Sequence, residues 1–292
     1  MIPLPCCPRR APPTRTLLGL SLLGLVACGR GRGDPAVTIS AAGTSDPPRE
    51  LRELITALTP PPATAVPVEK SEFFRNRKSA LERLRGASEA HGREALRILQ
   101  EEPPKLPEVR AGLLDVAAHT APELVEPILV QLVTRFGEDL YVRKAATELL
   151  GECRPEKAIE VLDPILSQQV DGRTYPPEEH LLAAYIAANE ELGLDPGPFV
   201  ALIATDLERP QEVRHLATRA LGKHPSPMSR QALESILTES GGNGYIRRLA
   251  LQSLAEQLPK EDFCELALRI QSNEADVDFI RFLQDALDKR CR

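Results

Sequence analysis

The sequence has no tryptophan, and its 292 residues include only 4 Tyr, 7 Phe and 2 Met. β-Sandwiches and barrels fill their pleated faces with aromatic and β-branched residues, so this scarcity argues against them. Basic residues are not in excess: 36 Lys and Arg against 42 Asp and Glu leave a net charge of −6. That balance lacks the electropositive footprint of a nucleic-acid-binding surface. The 5 His and 6 Cys form no His-x-x-His or Cys-x-x-Cys pair, so the ligand spacing of a zinc site is missing. No Gly-x-Ser-x-Gly elbow occurs, and Gly241-Gly242-Asn243-Gly244 is not followed by the Lys-Ser/Thr of a phosphate loop. Acid pairs such as Glu101/Glu102 and Glu178/Glu179 sit beside proline and read as charge at helix ends or turns. These absences predict no metal, no cofactor, no nucleic-acid partner and no enzymatic activity.

What is present begins with an address. Arg9, Arg10 and Arg15 form a positive segment without acids, followed by the apolar run Leu17 to Val26. Ten residues at 1.5 Å rise cannot cross a hydrocarbon core of about 30 Å, so this run reads as a secretion signal rather than a transmembrane helix. It ends in Leu25-Val26-Ala27-Cys28-Gly29, a string that resembles the bacterial lipobox. The resemblance implies cleavage after Ala27 and acyl chains on Cys28, which would anchor the chain to a membrane. Gly29 stands where Asp would direct inner-membrane retention, so the expected location is the outer membrane of a bacterial envelope, facing the periplasm. Loss of residues 1–27 removes three Arg and no acid, moving the net charge to −9.

Residues 28–70 read as a flexible tether. Pro35, Pro47, Pro48, Pro60, Pro61, Pro62 and Pro67 recur there, and the apolar content is too low to offset the ordering entropy. One short helix is expected at 48–58, carrying Leu51, Leu54, Ile55 and Leu58, either docked on the first repeat or floating.

From residue 71 to 292 the chain repeats itself. Arg77, Arg110, Arg143, Arg214 and Arg247 recur at steps of 33 to 37 residues, with His180 in the slot between Arg143 and Arg214. Three residues on lie Ala80, Leu113, Ala146, Ala183, Ala217 and Ala250; seven on lie Leu84, Ala117, Leu150, Ala187, Leu221 and Leu254. This spacing keeps one face of a helix apolar. Gly151 and Gly222 are expected to end the first helix of their units, and Pro122, Pro155 and Pro259 to open the second. The second helices carry stripes such as Val125, Ile128 and Leu132, or Phe199, Leu202 and Ile203. Pro127 and Pro164 are expected to kink or restart two of them. A segment at 275–290 reads as a cap.

Paired helices of this length with Val-Arg-x-x-Ala-x-x-x-Leu-Gly in the first resemble HEAT repeats, especially the short bacterial form of phycobilin-lyase-like proteins. The resemblance implies an all-α, right-handed α-solenoid of about six helical hairpins plus a C-terminal capping helix, with second helices along the concave side. It also implies that the repeated Arg braces neighbouring repeats through carbonyl and carboxylate contacts. The di-iron enzyme of this fold carries His-Glu dipeptides, and none occurs here. Attachment of pigments in the cytoplasm is opposed by the export signal.

Outside the signal and anchor, Cys153, Cys264 and Cys291 remain. Antiparallel pairing of the last two helices would bring Cys264 and Cys291 together, and a bond there would add roughly 3 kcal/mol; otherwise they are independent thiols. The leading expectation for function is a membrane-anchored, non-catalytic scaffold holding a protein or peptide partner in a groove lined by Glu126, Gln131, Glu160, Gln168, Glu234 and Thr238. The alternative is a structural or maturation subunit of an envelope complex without a groove ligand, with a lyase-like enzyme third.

Overall fold

The computed structural model describes residues 49–61, 67–134, 137–168, 175–239 and 243–291. The signal at 1–27, the anchor at Cys28 and the first part of the tether lie outside the described residues. Every regular element among the described residues is an α-helix. Helix α1 is Arg49–Leu58. Six hairpins follow: α2 (Pro67–Arg85) with α3 (Glu89–Glu101), α4 (Pro107–Thr120) with α5 (Pro122–Thr134), α6 (Leu140–Cys153) with α7 (Pro155–Leu166), α8 (Glu178–Leu192) with α9 (Gly197–Thr205), α10 (Gln211–Lys223) with α11 (Pro227–Thr238), and α12 (Gly244–Gln257) with α13 (Lys260–Asn273). Helix α14, Val277–Arg290, closes the series.

The first helices stack on one another along the chain: α2 on α4, α4 on α6, α6 on α8, α8 on α10, α10 on α12 and α12 on α14. Their sequences explain why. In α4, Val109, Ala111, Leu113, Leu114, Val116, Ala117 and Ala118 are all buried, so the helix is covered on nearly every side. A helix apolar all round is an interior helix. The second helices carry single stripes, such as Val125, Leu129 and Val133 in α5 and Ala158, Leu162 and Leu166 in α7. Of the neighbouring second helices, only α9 and α11 pack extensively on each other. The molecule is therefore a closely packed spine of first helices with a more open second layer.

Several local expectations are corrected. Gly151 and Gly222 do not end their helices; each lies inside one. A Cβ on Gly151 would stand 2.7 Å from the carbonyl oxygen of Ala184, and one on Gly222 would stand 2.5 Å from Ser253 Oγ. These glycines permit close approach of successive first helices. The glycine that does end a helix is Gly193 after α8, at φ +67 in the left-handed region. Pro127 and Pro164 lie within α5 and α7 without interrupting them. Leu202 does not belong to the buried stripe of α9 but is 65% exposed. For the short helix expected at 48–58, which was to dock or float, the docked alternative holds: Leu51, Leu54 and Leu58 are fully buried, and α1 packs on α2 and α4.

Candidate functional site

Three of the repeated arginines, Arg143, Arg214 and Arg247, lie nearly buried where the first helix of one hairpin meets the end of the preceding second helix. Arg143 donates from Nε to Leu132 O at 3.3 Å and from Nη2 to Val133 O at 3.4 Å. Arg214 Nε donates to Ala204 O at 3.0 Å, and Arg247 Nε and Nη2 donate to Leu237 O at 3.1 and 2.9 Å. Each guanidinium thereby satisfies carbonyls that the end of a helix leaves without intrahelical partners, and its positive charge meets the negative end of that helix dipole.

In three of the units the repeated Arg also meets a carboxylate from the loop after the same hairpin's second helix. Arg110 reaches Glu138 at 2.5 Å, Arg214 reaches Glu239 at 2.5 Å, and Arg247 pairs with Glu274. The hydrogen bond from Arg247 holds the Glu274 carboxyl below its ordinary pKa. Burial lowers the pKa of Arg143 from its ordinary value. Arg77 differs, donating to Tyr141 OH at 2.7 Å. In the His180 unit the polarity is reversed. Glu178, on the first helix, is buried and pairs with Arg209 from the loop after α9, while Arg209 Nη2 donates to Leu166 O at 2.8 Å. Burial pushes the Glu178 carboxyl up, against the pull of Arg209. Glu178 is thus no solvated turn charge. The signal that could have found Arg209 was an arginine after the second helix of the one unit lacking the repeated Arg.

Of the six residues expected to line a groove, Gln131 and Thr238 border clefts, and these are different ones. Gln131 lines a cleft of about 580 Å3 between α3 and α5, with Leu99, Ile128 and Glu138. Thr238 lies between two others: one of about 440 Å3 toward α13, with Arg247, Arg269 and Glu274, and one of about 250 Å3 toward α9, with Thr205, Leu207, Ser235, Ile236 and Glu239. Glu126 pairs with Arg154, Glu160 with Lys157 at 2.7 Å, and Glu234 with Arg269 at 4.0 Å. Gln168 is exposed just past α7. Leu207, 60% exposed, lines the cleft toward α9, and Leu202 on α9 is 65% exposed; the sequence did not single out either as a surface residue.

At the C-terminal end of the solenoid, Cys264 in α13 and Cys291 after α14 form a disulfide, with S–S 1.98 Å and Cα–Cα 5.9 Å. Arg290 donates to Leu258 O at 2.6 Å beside it. Among the described residues no group of three or more His, Cys, Asp or Glu is placed to hold a metal, and no helix is long and apolar enough to cross a membrane.

No protein-family model matches the chain, and no curated protein does. Among solved structures, the complex of CpcE and CpcF of phycocyanin lyase from Nostoc sp. PCC7120 is similar: 18% identity, covering 88% of this chain and 99% of that one, with a TM-score of 0.38. That structure belongs to a lyase, which runs against two expectations drawn from the sequence, a non-catalytic scaffold and a chain without enzymatic activity. Both are withdrawn, and what stands is an all-helical, HEAT-like solenoid.

Proposed function

We propose that the chain is a structural or maturation subunit of a cell-envelope complex, without a groove ligand, that meets a neighbouring subunit through apolar side chains exposed on α9 and in the turn after it. The observation that carries this reading is Leu207, 60% exposed and lining the cleft between α9 and α11, with Leu202 of α9 also 65% exposed. A large exposed apolar side chain at a cleft rimmed by polar residues such as Thr205, Thr238 and Glu239 is the composition of an interaction site. The lipobox-like run ending at Cys28 supports a lipid anchor that holds the complex at a membrane, and Gly29 favours the outer one.

Replacing both leucines with glutamate tests the docking. Burying one leucine contributes about 1.5–3 kcal/mol, so the double variant should weaken a complex purified from detergent-solubilised membranes by roughly a hundredfold or more. Its melting temperature should stay near that of the wild type. A complex of unchanged size and occupancy would overturn the reading. Cys28→Ser separates the anchor from the docking: it should release the protein from the membrane while leaving the leucine face competent.

A further inference from the structure

A second chemical cluster lies on the spine, away from the second-helix layer. Cys153 is the last residue of α6 and is 7% exposed. His119, near the end of α4, presents Nε2 to it at 4.0 Å, within hydrogen-bonding reach for sulfur. The His119 side chain is 2% exposed. Its Nδ1 lies 2.8 Å from the Asp115 backbone oxygen. A carbonyl can only accept, so Nδ1 is the donor there and Nε2 is the nitrogen that faces Cys153. The Asp115 carboxylate is 3.6 Å from the same Nδ1 and is itself gripped by Arg85 from Nε at 3.0 Å and Nη2 at 2.7 Å. A thiol, an imidazole of fixed tautomer and an orienting carboxylate thus stand in series, the arrangement that activates a cysteine nucleophile.

Arg85, 41% exposed, joins the cluster to the surface through its ion pair with Asp115. Glu152, beside Cys153, reaches solvent, yet partial burial raises its carboxyl against the pull of Arg85 and His119. The other charged groups near the pair are Glu148 on α6, 3.6 Å from His180 of α8, and Arg154, which turns away to Glu126 of α5.

We propose that Cys153 and His119 form a thiol–imidazole pair and that Cys153 is a nucleophile toward small-molecule disulfides. His119 Nε2 takes the Cys153 proton. The thiolate attacks one sulfur of the disulfide, its S–S bond breaks as the bond to Cys153 forms, and the departing thiolate takes the proton back from His119. Cys153 and one half of the reagent end as a mixed disulfide, the other half leaves as a thiol, and the disulfide itself is the oxidant.

The test uses the full chain with the Cys264–Cys291 bond intact and dithiodipyridine as the probe. Mass spectrometry of the Cys153 peptide tracks mixed-disulfide formation with pH, normalised to a cysteine peptide. The proposal expects reaction in the folded protein, with a midpoint at least about one pH unit below the ordinary thiol value near 8.5. His119→Gln, shown folded by its circular dichroism and melting temperature, should move that midpoint up by about one unit or more. Reaction of Cys153 only after denaturation, a wild-type midpoint at or above the ordinary value, or a folded His119→Gln protein with an unmoved midpoint would overturn it. If that variant does not fold, the wild-type midpoint decides alone.

Discussion

Arg209 and Glu178 form a buried ion pair whose polarity is the reverse of the other junctions: the guanidinium comes from the loop and the carboxylate from the first helix. Elsewhere, as at Arg214–Glu239 and Arg247–Glu274, the helix supplies the arginine. What is preserved is a guanidinium on the terminal carbonyl of the preceding second helix, here Leu166 O.

Removing Arg209 should therefore cost more than removing an ordinary surface arginine. Arg209→Ala leaves Glu178 buried without its partner and opens the end of α7, a loss of about 3–5 kcal/mol. Adding Glu178→Gln should recover a sizeable part, because a neutral amide tolerates the site better than an unpaired carboxylate. Urea unfolding of the two variants checks this; equal stability of single and double variants would show that the charge of Glu178 is of no consequence there.

Gly151→Ala sets two effects against each other. Alanine gains about 1 kcal/mol in helix propensity. The new Cβ would stand 2.7 Å from Ala184 O and 3.1 Å from Ala184 Cα, both backbone atoms that cannot rotate away. Overpacking of this kind costs about 1–3 kcal/mol, so the variant should be less stable. Gly86→Ala, whose nearest neighbour would be Arg83 O at 3.9 Å, should change stability little.

Glu274 gives the Arg247 junction a pH dependence of definite sign. Its carboxyl is held below the ordinary value of 4.5. The stabilisation is therefore fully present above pH 4.5 and is lost as the pH falls through the lower folded-state value. Glu274→Gln should destabilise the protein by about 1.5–3 kcal/mol at neutral pH, the range for a hydrogen bond to a charged group. The gap between the two proteins should narrow as the solution is made acid. A gap that stays constant down to acid unfolding would contradict the assignment.

The disulfide clamps α14 onto α13. With its cysteines 27 positions apart, loop-closure entropy predicts a loss of about 3.5 kcal/mol for Cys264→Ser/Cys291→Ser. Hydrogen exchange should show the loss first in α14, because that helix closes the series and packs on α12 and α13. Uniform loosening along the whole spine would argue that the bond acts elsewhere.

The fold was legible because its signal is periodic. Small and apolar residues three and seven after each Arg mark the spine helices, and the proline at the turn marks their partners. What escaped is what does not repeat. Leu202 reads as one more stripe residue, since helical spacing alone does not reveal how far the second layer is splayed. Gly151 and Gly222 read as stops because a glycine near a helix end has two uses, and only the neighbouring helix shows which applies. Arg209, Glu178 and the pairing of His119 with Cys153 each join residues 31 or 34 positions apart. That is the distance of one repeat, across which a sequence shows composition but no contact.

Site-specific photocrosslinking from position 202 in native membranes tests the docking face most directly. The account predicts a defined protein adduct from position 202 that disappears with Leu207→Glu and is absent from position 281, which is equally open on α14 with the Arg281 side chain 76% exposed. No adduct at position 202, or the same adduct from both positions, would contradict it.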